Sequence, residues 1–419
     1  MKRLIRPLSA LSTVALILGS GIASPAATAR DTNSIKDSQD TQNEEHIKLA
    51  MSTHETNSDF ALNLFAQSTK QKTGNVLVSP FSAFAALSMT LNGAEGKTRS
   101  EMAKSLGLSN DNLDELNKRN EATFAALNKN TKVQIEIANA IYADKSTPFK
   151  QSFIELCKKS YGAEIHNENF ADPKTVDAIN SWCKAKTHGK IDSILDKLNS
   201  LEKMVLINAI YFKGTWQNQF HKSQTGDDKF TDENGAVLPI KMMHQNETFS
   251  YFKDQNFAAV DLPYLGHNQS LLVFLPDKNT TLSTVQARFN KDNWKLWMNA
   301  FQPTTINLSL PKFKIEYSTQ LNEALKSLGM ADAFDSKTAN FSGMIDQPTW
   351  IGRVLQKTFM EVNEEGTEAA AATAVTMMSR SVQFQAKEPV EFRVDRPFIV
   401  ALVDKETQEI LFLGTIQKP

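Results

Sequence analysis

Glu364-Glu365-Gly366-Thr367-Glu368-Ala369-Ala370-Ala371-Ala372-Thr373-Ala374-Val375-Thr376-Met377-Met378-Ser379-Arg380 combines two opposed backbone preferences. Its alanine run favours a helix, because alanine has the lowest intrinsic helical cost. Thr367, Thr373, Val375 and Thr376 favour extended chain, because β-branched side chains fit a pleated surface. Divided at the strand period, one face holds Thr367, Ala369, Ala371, Thr373, Val375 and Met377 and no charge. The other holds Glu368, Ala370, Ala372, Ala374, Thr376 and Met378, with one acid. A strand sliding between two others needs one small uncharged face and tolerates a charge on the opposite one. An alanine-rich linker or surface helix fits the same residues as well, and the stretch alone leaves both readings open.

Its surroundings narrow the choice. Asn75-Val76-Leu77-Val78-Ser79-Pro80-Phe81-Ser82, Asn208-Ala209-Ile210-Tyr211-Phe212-Lys213-Gly214-Thr215-Trp216 and Leu310-Pro311-Lys312-Phe313 precede it. Leu328-Gly329-Met330 and Phe341-Ser342-Gly343 follow these, and Asp395-Arg396-Pro397-Phe398 lies beyond it. With Glu364 to Ala371 as a hinge, this ordered set resembles the serpin family (serine protease inhibitors) from residue 51 to the end. Several motifs in order are far more specific than any one of them.

The resemblance implies an α+β fold of three β-sheets and eight or nine helices, metastable in its native state. It also implies an exposed reactive loop at about 364–386. Such a chain is not an enzyme and has no catalytic residues. It is a suicide substrate of a serine protease, its partner in a covalent complex. The protease acylates itself on the loop, the loop inserts as a new strand, and the dragged protease loses its aligned triad and oxyanion hole. Loop insertion in serpins is a known instance of strand addition.

Counting from the hinge places the scissile bond at Arg380-Ser381, so a trypsin-like target with a carboxylate in its specificity pocket is expected. Met377 or Met378 before the bond would redirect it to chymotrypsin-like, elastase-like or cysteine proteases. Glu364, Gly366, Thr367, Glu368, Ala369, Ala370, Ala371 and Ala372 correspond to the hinge that decides trap or substrate. Thr367 and the four alanines argue against the remaining alternative, a binding serpin without inhibition. Ser79, Ser82 and Asn208 correspond to a polar shutter, and Glu364 with Lys312 to an ion pair at the insertion point beside Trp216. Gln356 departs from the family, where many members have histidine. Glutamine donates and accepts without titrating, so the shutter should lack a histidine's response at about pH 6–7.

The whole chain supports this in outline. Its 419 residues, 41% apolar, can bury a large core, and length alone suggests two or three domains. The motifs instead spread one domain over 51–419. A net charge of −1 argues against a nucleic-acid partner. Lys2, Arg3 and Arg6, an apolar stretch from Leu8 to Ile22, and Ala27-Thr28-Ala29 read as a signal peptide at 1–29. The apolar run is too short and broken to anchor in a membrane. Residues 30–50 read as a flexible polar leader. The expected product is a secreted extracellular monomer, or a periplasmic one in a Gram-negative host. Cys157 and Cys183 fall in helix-like segments and are expected to stay unpaired.

Five Asn-x-Ser/Thr acceptors begin at Asn246, Asn268, Asn279, Asn307 and Asn340. The seven histidines form no metal-ligand spacing, Gly96-Lys97-Thr98 lacks the upstream glycine of a phosphate loop, and no nucleophile elbow occurs. No cofactor or metal is expected. Lys118, Arg119, Lys129 and Lys132, and Lys184, Lys186, His188 and Lys190, read as solvated helix faces rather than a glycosaminoglycan site. Helices are expected around Phe60–Phe65, Phe81–Leu91, Leu113–Leu127, Phe153–Tyr161 and Val176–Lys186. Strands are expected at Val205–Tyr211, Val260–Leu262, Leu271–Leu275 and Ile306–Leu310, with a final hairpin of Phe398–Val403 and Ile410–Leu413.

Overall fold

Apolar residues at helical spacing become helix early in the chain. The computed structural model describes residues 54–70, 72–108, 112–128, 132–367 and 388–419. Helix α1 (His54–Thr69) buries Phe60, Ala61, Leu64 and Phe65, which share one stripe. Helix α2 (Pro80–Leu91) starts with proline in its first turn and is buried along its whole length. Ser79 precedes it but makes no side-chain cap. Its Oγ donates instead to the carbonyl of Leu411 at 2.7 Å. A serine just ahead of a proline-opened helix reads locally as a capping residue, and here its hydroxyl is spent on a tertiary contact.

The remaining helices are α3 (Gly96–Ser105), α4 (Leu113–Leu127), α5 (Gln151–Tyr161), α6 (Pro173–Lys186), α7 (Leu282–Gln286), α8 (Lys291–Met298) and α9 (Asn322–Ser327). Asn112 and Asp172 cap α4 and α6 by accepting from backbone N–H groups. Cys157 and Cys183 are free and buried, as expected.

Two hydrogen-bonded strand systems carry the helices. The first is a six-stranded sheet ordered β10 (Phe313–Gln320), β11 (Ile351–Val362), β12 (Gly366–Thr367), β4 (Met204–Thr215), β2 (Val133–Asp144) and β3 (Glu164–Glu168). The second path runs β1 (Val76–Val78), β15 (Ile410–Ile416), β14 (Phe398–Asp404), β8 (Gln269–Pro276), β7 (Phe257–Pro263), β6 (Val237–Lys253), β9 (Gln302–Pro311) and β13 (Val390–Arg393). Strand β5 (Gly226–Thr231) pairs with β6, and the 17-residue β6 joins two of the expected sheets into this continuous path. The fold is α+β, with nine α-helices among the described residues.

Ile210, Phe212, Met360 and Val362 of the six-stranded sheet pack with Val273, Leu275, Val400 and Leu402 of the second path in one apolar cluster. Below it the inner face meets α2, and the outer face is covered by α6 and the segment after it.

Candidate functional site

Strands β4 and β11 run parallel, paired from Met204 and Ile351 to Ile210 and Thr358. Beyond that point the chain turns back and threads β12 between them. Thr367 lies antiparallel to both strands, opposite Val362 on one side and Gly214 on the other. One end of this seam is thus closed, and the other already holds two residues of a further strand.

At the occupied end, Asn363 forms the turn. Its N–H donates to the Gly366 carbonyl at 2.9 Å, and its Oδ1 accepts from the N–H groups of Glu365 and Gly366. A Cβ at Gly366 would lie 2.0 Å from the Gly214 carbonyl oxygen, so only glycine fits this approach. Trp216 holds the same turn from outside. Its Nε1–H donates to the Asn363 carbonyl and its backbone N–H to that of Glu365, both at 2.9 Å. The indole stacks on Tyr264 at 4.4 Å, and the Tyr264 hydroxyl bonds the Thr367 hydroxyl.

Glu364 is 5% exposed, and its carboxylate meets Lys312 Nζ at 2.7 Å. Burial pushes this carboxyl up, but the Lys312 ammonium and neighbouring hydrogen bonds outweigh it and hold it below the usual range. Glu365 pairs outside with Lys222.

At the closed end, Gln356 is fully buried. Its amide forms a two-bond ring with the backbone of Ser79, accepting from its N–H at 2.8 Å and donating to its carbonyl at 2.9 Å. The same Nε2 donates to Asn208 Oδ1 at 2.7 Å, across the paired strands. Asn208 Nδ2 donates onward to Ser82 Oγ and to Asn139 Oδ1. Ser79, Ser82, Asn208 and Gln356 therefore stand in one neutral network that ties α2 to β11, β4 and β2.

Residues 187–203 cross the outer face of the seam. Ile191, Ile194 and Leu195 pack with Val205, Ile207, Ala209, Leu355 and Phe359. Lys357 Nζ donates to the Ser193 carbonyl at 2.7 Å, and Arg353 makes a bidentate pair with Glu202 at 2.6 and 2.8 Å. Sequence reasoning missed this cover, together with Asn139 and Tyr264. The cationic Arg353 and Lys357 beside apolar Val354 and Leu355 were its only local trace. Of the two basic clusters, Lys184 pairs with Asp192, Lys186 with Glu164 and His188 with Glu136, which leaves little free positive charge there.

Glu368, Ala369, Ala370, Ala371, Ala372, Met377, Met378, Arg380 and Ser381 lie outside the described residues, as do the proposed leader and signal segment. Among the described residues no group of three or more His, Cys, Asp or Glu could hold a metal ion.

A model of the family Serpin (serine protease inhibitor) matches residues 55–419. Serpin B6 of Macaca fascicularis is 36% identical over 375 residues, which span 87% of this chain and 99% of that relative. The leukocyte elastase inhibitor of Equus caballus is 34% identical over 378 residues, spanning 87% of this chain and 98% of its own. Among solved structures, the native state of tengpin, a thermophilic serpin, superposes with a TM-score of 0.81 at 33% identity, covering 88% of this chain and 94% of tengpin. The chain belongs to the serpin family of serine protease inhibitors.

The relatives correct one expectation. Serpin B6, serpin B8 and leukocyte elastase inhibitor are intracellular serpins without signal peptides, which overturns the assignment of this chain as secreted or periplasmic. A short apolar run behind basic residues is a compositional signal, and composition alone is not an address.

Proposed function

We propose that this serpin traps a serine protease as an acyl complex, with the residues after Thr367 entering the seam as its new central strand. The observation that carries this is Thr367 itself, already paired between Val362 and Gly214. Continued without a shift, that register brings Ala371 between Thr358 and Ile210, which now pair directly. It then brings Thr373 between Gln356 and Asn208, in place of their direct contact.

Neighbours across a sheet share a face. Thr367, Ala369, Ala371 and Thr373 would join the inner face with Gln356 and Asn208. Ala370, Ala372 and Ala374 would slide beneath the cover formed by residues 187–203, where bulk or charge would be stopped. Glu368, the one acid, stays level with the half-buried Lys213 and Glu361 near the occupied end. Roughly ten residues gaining ladder bonds at ~1 kcal/mol net each supply on the order of 10 kcal/mol. That is enough to part the network around Gln356.

In this reading Gly366 and the small hinge residues set whether the chain traps or is merely cut. Lys312, Glu364 and Trp216 hold the entry, and Ser79, Ser82, Asn208 and Gln356 hold the far end. Arg380 before Ser381 selects a trypsin-like enzyme, because a guanidinium pairs bidentately with a pocket carboxylate. Relatives named leukocyte elastase inhibitor favour a second reading, cleavage after Met377 or Met378 by an elastase- or chymotrypsin-like enzyme.

Incubation with trypsin, chymotrypsin and elastase, followed by denaturing gels and mass spectrometry of the released peptide, tests both readings. A denaturant-stable complex at the summed mass is expected, with the peptide beginning at Ser381. Cleavage by all three enzymes with no complex would refute the trap. A peptide beginning at Met378 or Ser379 would replace Arg380 as the selecting residue.

A further inference from the structure

The turn that joins β14 to β15 holds two buried carboxyls. Asp404, at the end of β14, is 1% exposed, and Glu409, just before β15, is 2% exposed. Their backbones are tied, with the Asp404 N–H donating to the Glu409 carbonyl at 3.0 Å. Donors are unevenly shared between the two side chains. Asp404 Oδ1 accepts from the Thr407 N–H at 2.7 Å and the Thr407 hydroxyl at 2.8 Å, and its Oδ2 accepts from Gln269 Nε2. Glu409 Oε1 accepts from Nδ2 of Asn57, in the first turn of α1. Asn57 is itself buried, and its Oδ1 has no hydrogen-bond partner.

The charges around the turn are engaged elsewhere. Lys405 pairs with Asp261 at 2.7 Å, and Glu406 accepts from Asn268 at 2.6 Å. Helices α2 and α7 and strands β1, β8 and β15 carry no ionisable residue. Helix α1 carries His54, Glu55 and Asp59, and α8 carries Lys291, Asp292 and Lys295. On α9, Glu323 and Lys326 pair with each other at 2.9 Å. Among the described residues, only Asp404 acts on Glu409 by charge. Burial, and then that charge, push the Glu409 carboxyl up to about 8 against the Asn57 hydrogen bond.

Two carboxyls sharing so dry a place do not both ionise, and donors favour whichever form is charged. The three donors therefore keep the charge on Asp404 and leave the proton on Glu409. A protonated carboxyl is itself a donor, and the unsatisfied Asn57 oxygen is an acceptor in need of one. We propose that Glu409 donates this proton to Asn57 Oδ1, and that the acid–amide pair is a proton-linked latch holding the start of α1 to the last hairpin.

Loss of the proton leaves two carboxylates in one buried turn. It also sets a Glu409 oxygen against the Asn57 oxygen with no hydrogen between them. A carboxyl raised in the closed latch keeps a proton that the open latch releases. The latch therefore loosens as pH climbs from the ordinary carboxyl value of 4.5 towards about 8, and changes no further beyond. It works without a protease, and its test uses none.

Amide hydrogen exchange of the full-length chain, corrected for the chemical exchange rate, tests the latch. Protection in the first turns of α1 is expected to fall about tenfold per pH unit between about pH 6 and 8, then to level off. Dilute urea should change that opening little, because a local release exposes little surface. In Glu409→Gln, which bonds Asn57 through a neutral amide, the pH slope is expected to vanish. Should that variant fail to fold, carbon NMR of the parent labelled at its glutamate carboxyls reads the proton directly. One glutamate should then be protonated at about pH 7 and ionised by about pH 9. A flat profile in the parent, a slope retained in the folded variant, or no protonated glutamate at about pH 7 would overturn the proposal. So would an α1 opening with the full urea dependence of global unfolding, since the pair would then latch nothing.

Discussion

The two ends of the seam between β4 and β11 are held by different chemistry. At the entry the contacts are charged, half-open and built around a turn, with Lys312 on Glu364 and Lys222 on Glu365. At the far end they are neutral, fully buried and built around amides, with Gln356 joining Ser79 to Asn208. The entry keeps two strands apart, whereas the far end keeps them together. A buried carboxylate that must stay charged needs its counter-ion, while a buried amide network is stable at any ordinary pH and releases no proton when it parts.

Thr367→Arg gives the largest expected break in this contrast. It places a charge between Val362 and Gly214 where the parent has a buried hydroxyl beside Tyr264. Burying an unpaired charge costs several kcal/mol, so the hinge should leave the sheet. Titration against an active protease that the parent inhibits should show the number of chains consumed per enzyme trapped rising more than tenfold.

Glu409 carries the comparison to a third place. It is fully buried against Asn57, and burial pushes its carboxyl up to about 8. A carboxyl raised in the fold keeps a proton that the unfolded chain releases. Its stability contribution is therefore full below its ordinary value of 4.5 and is lost as pH rises towards about 8. Glu409→Gln keeps an acceptor for Asn57 and removes that loss. Urea unfolding should show a flatter pH profile and a gain of several kcal/mol at about pH 8, at roughly 1.4 kcal/mol per unit.

Smaller effects separate the two ends directly. Gly366→Ala drives a Cβ into the Gly214 carbonyl, and calorimetry should show a loss of about 1–3 kcal/mol. Lys312→Met leaves the Glu364 carboxylate without its ammonium. With Lys312 38% exposed, solvent screening limits the expected loss to about 1 kcal/mol. That variant's carboxyl should also titrate at higher pH, because the contact that lowers it is gone.

The smallest effect is expected from Gln356→His. It should introduce a pH dependence of the loop-insertion rate at about pH 6–7 that the parent lacks. Identical profiles for the two proteins would show that this position does not govern the seam.

The sequence was most legible where a requirement is local. The helical stripe of Phe60, Ala61, Leu64 and Phe65, the hairpin of β14 and β15, and the free cysteines could all be read from neighbours in the chain. The alternation of small uncharged residues from Thr367 onward falls, apart from Thr367 itself, outside the described residues. β2, β10 and β11 were not anticipated. β11 is covered on both faces, so its alternation is blurred, and its Arg353 and Lys357 look like surface residues until Glu202 and the Ser193 carbonyl are brought to them. Ser79 read as a helix cap because that use is local. Its actual acceptor, Leu411, lies 332 positions further on and left no trace in the pattern.

The two residues threaded at the entry have a kinetic consequence. In the proposed insertion, a strand that starts from Thr367 has its alignment settled before it moves, so no search among registers is needed. Progress then runs in one direction, each step opening the next. A failure in such a process leaves the strand stalled part-way at a definite residue, not misaligned. Substitutions along the loop should accordingly produce a ladder of arrested intermediates, ordered by the position of the first side chain too large to pass.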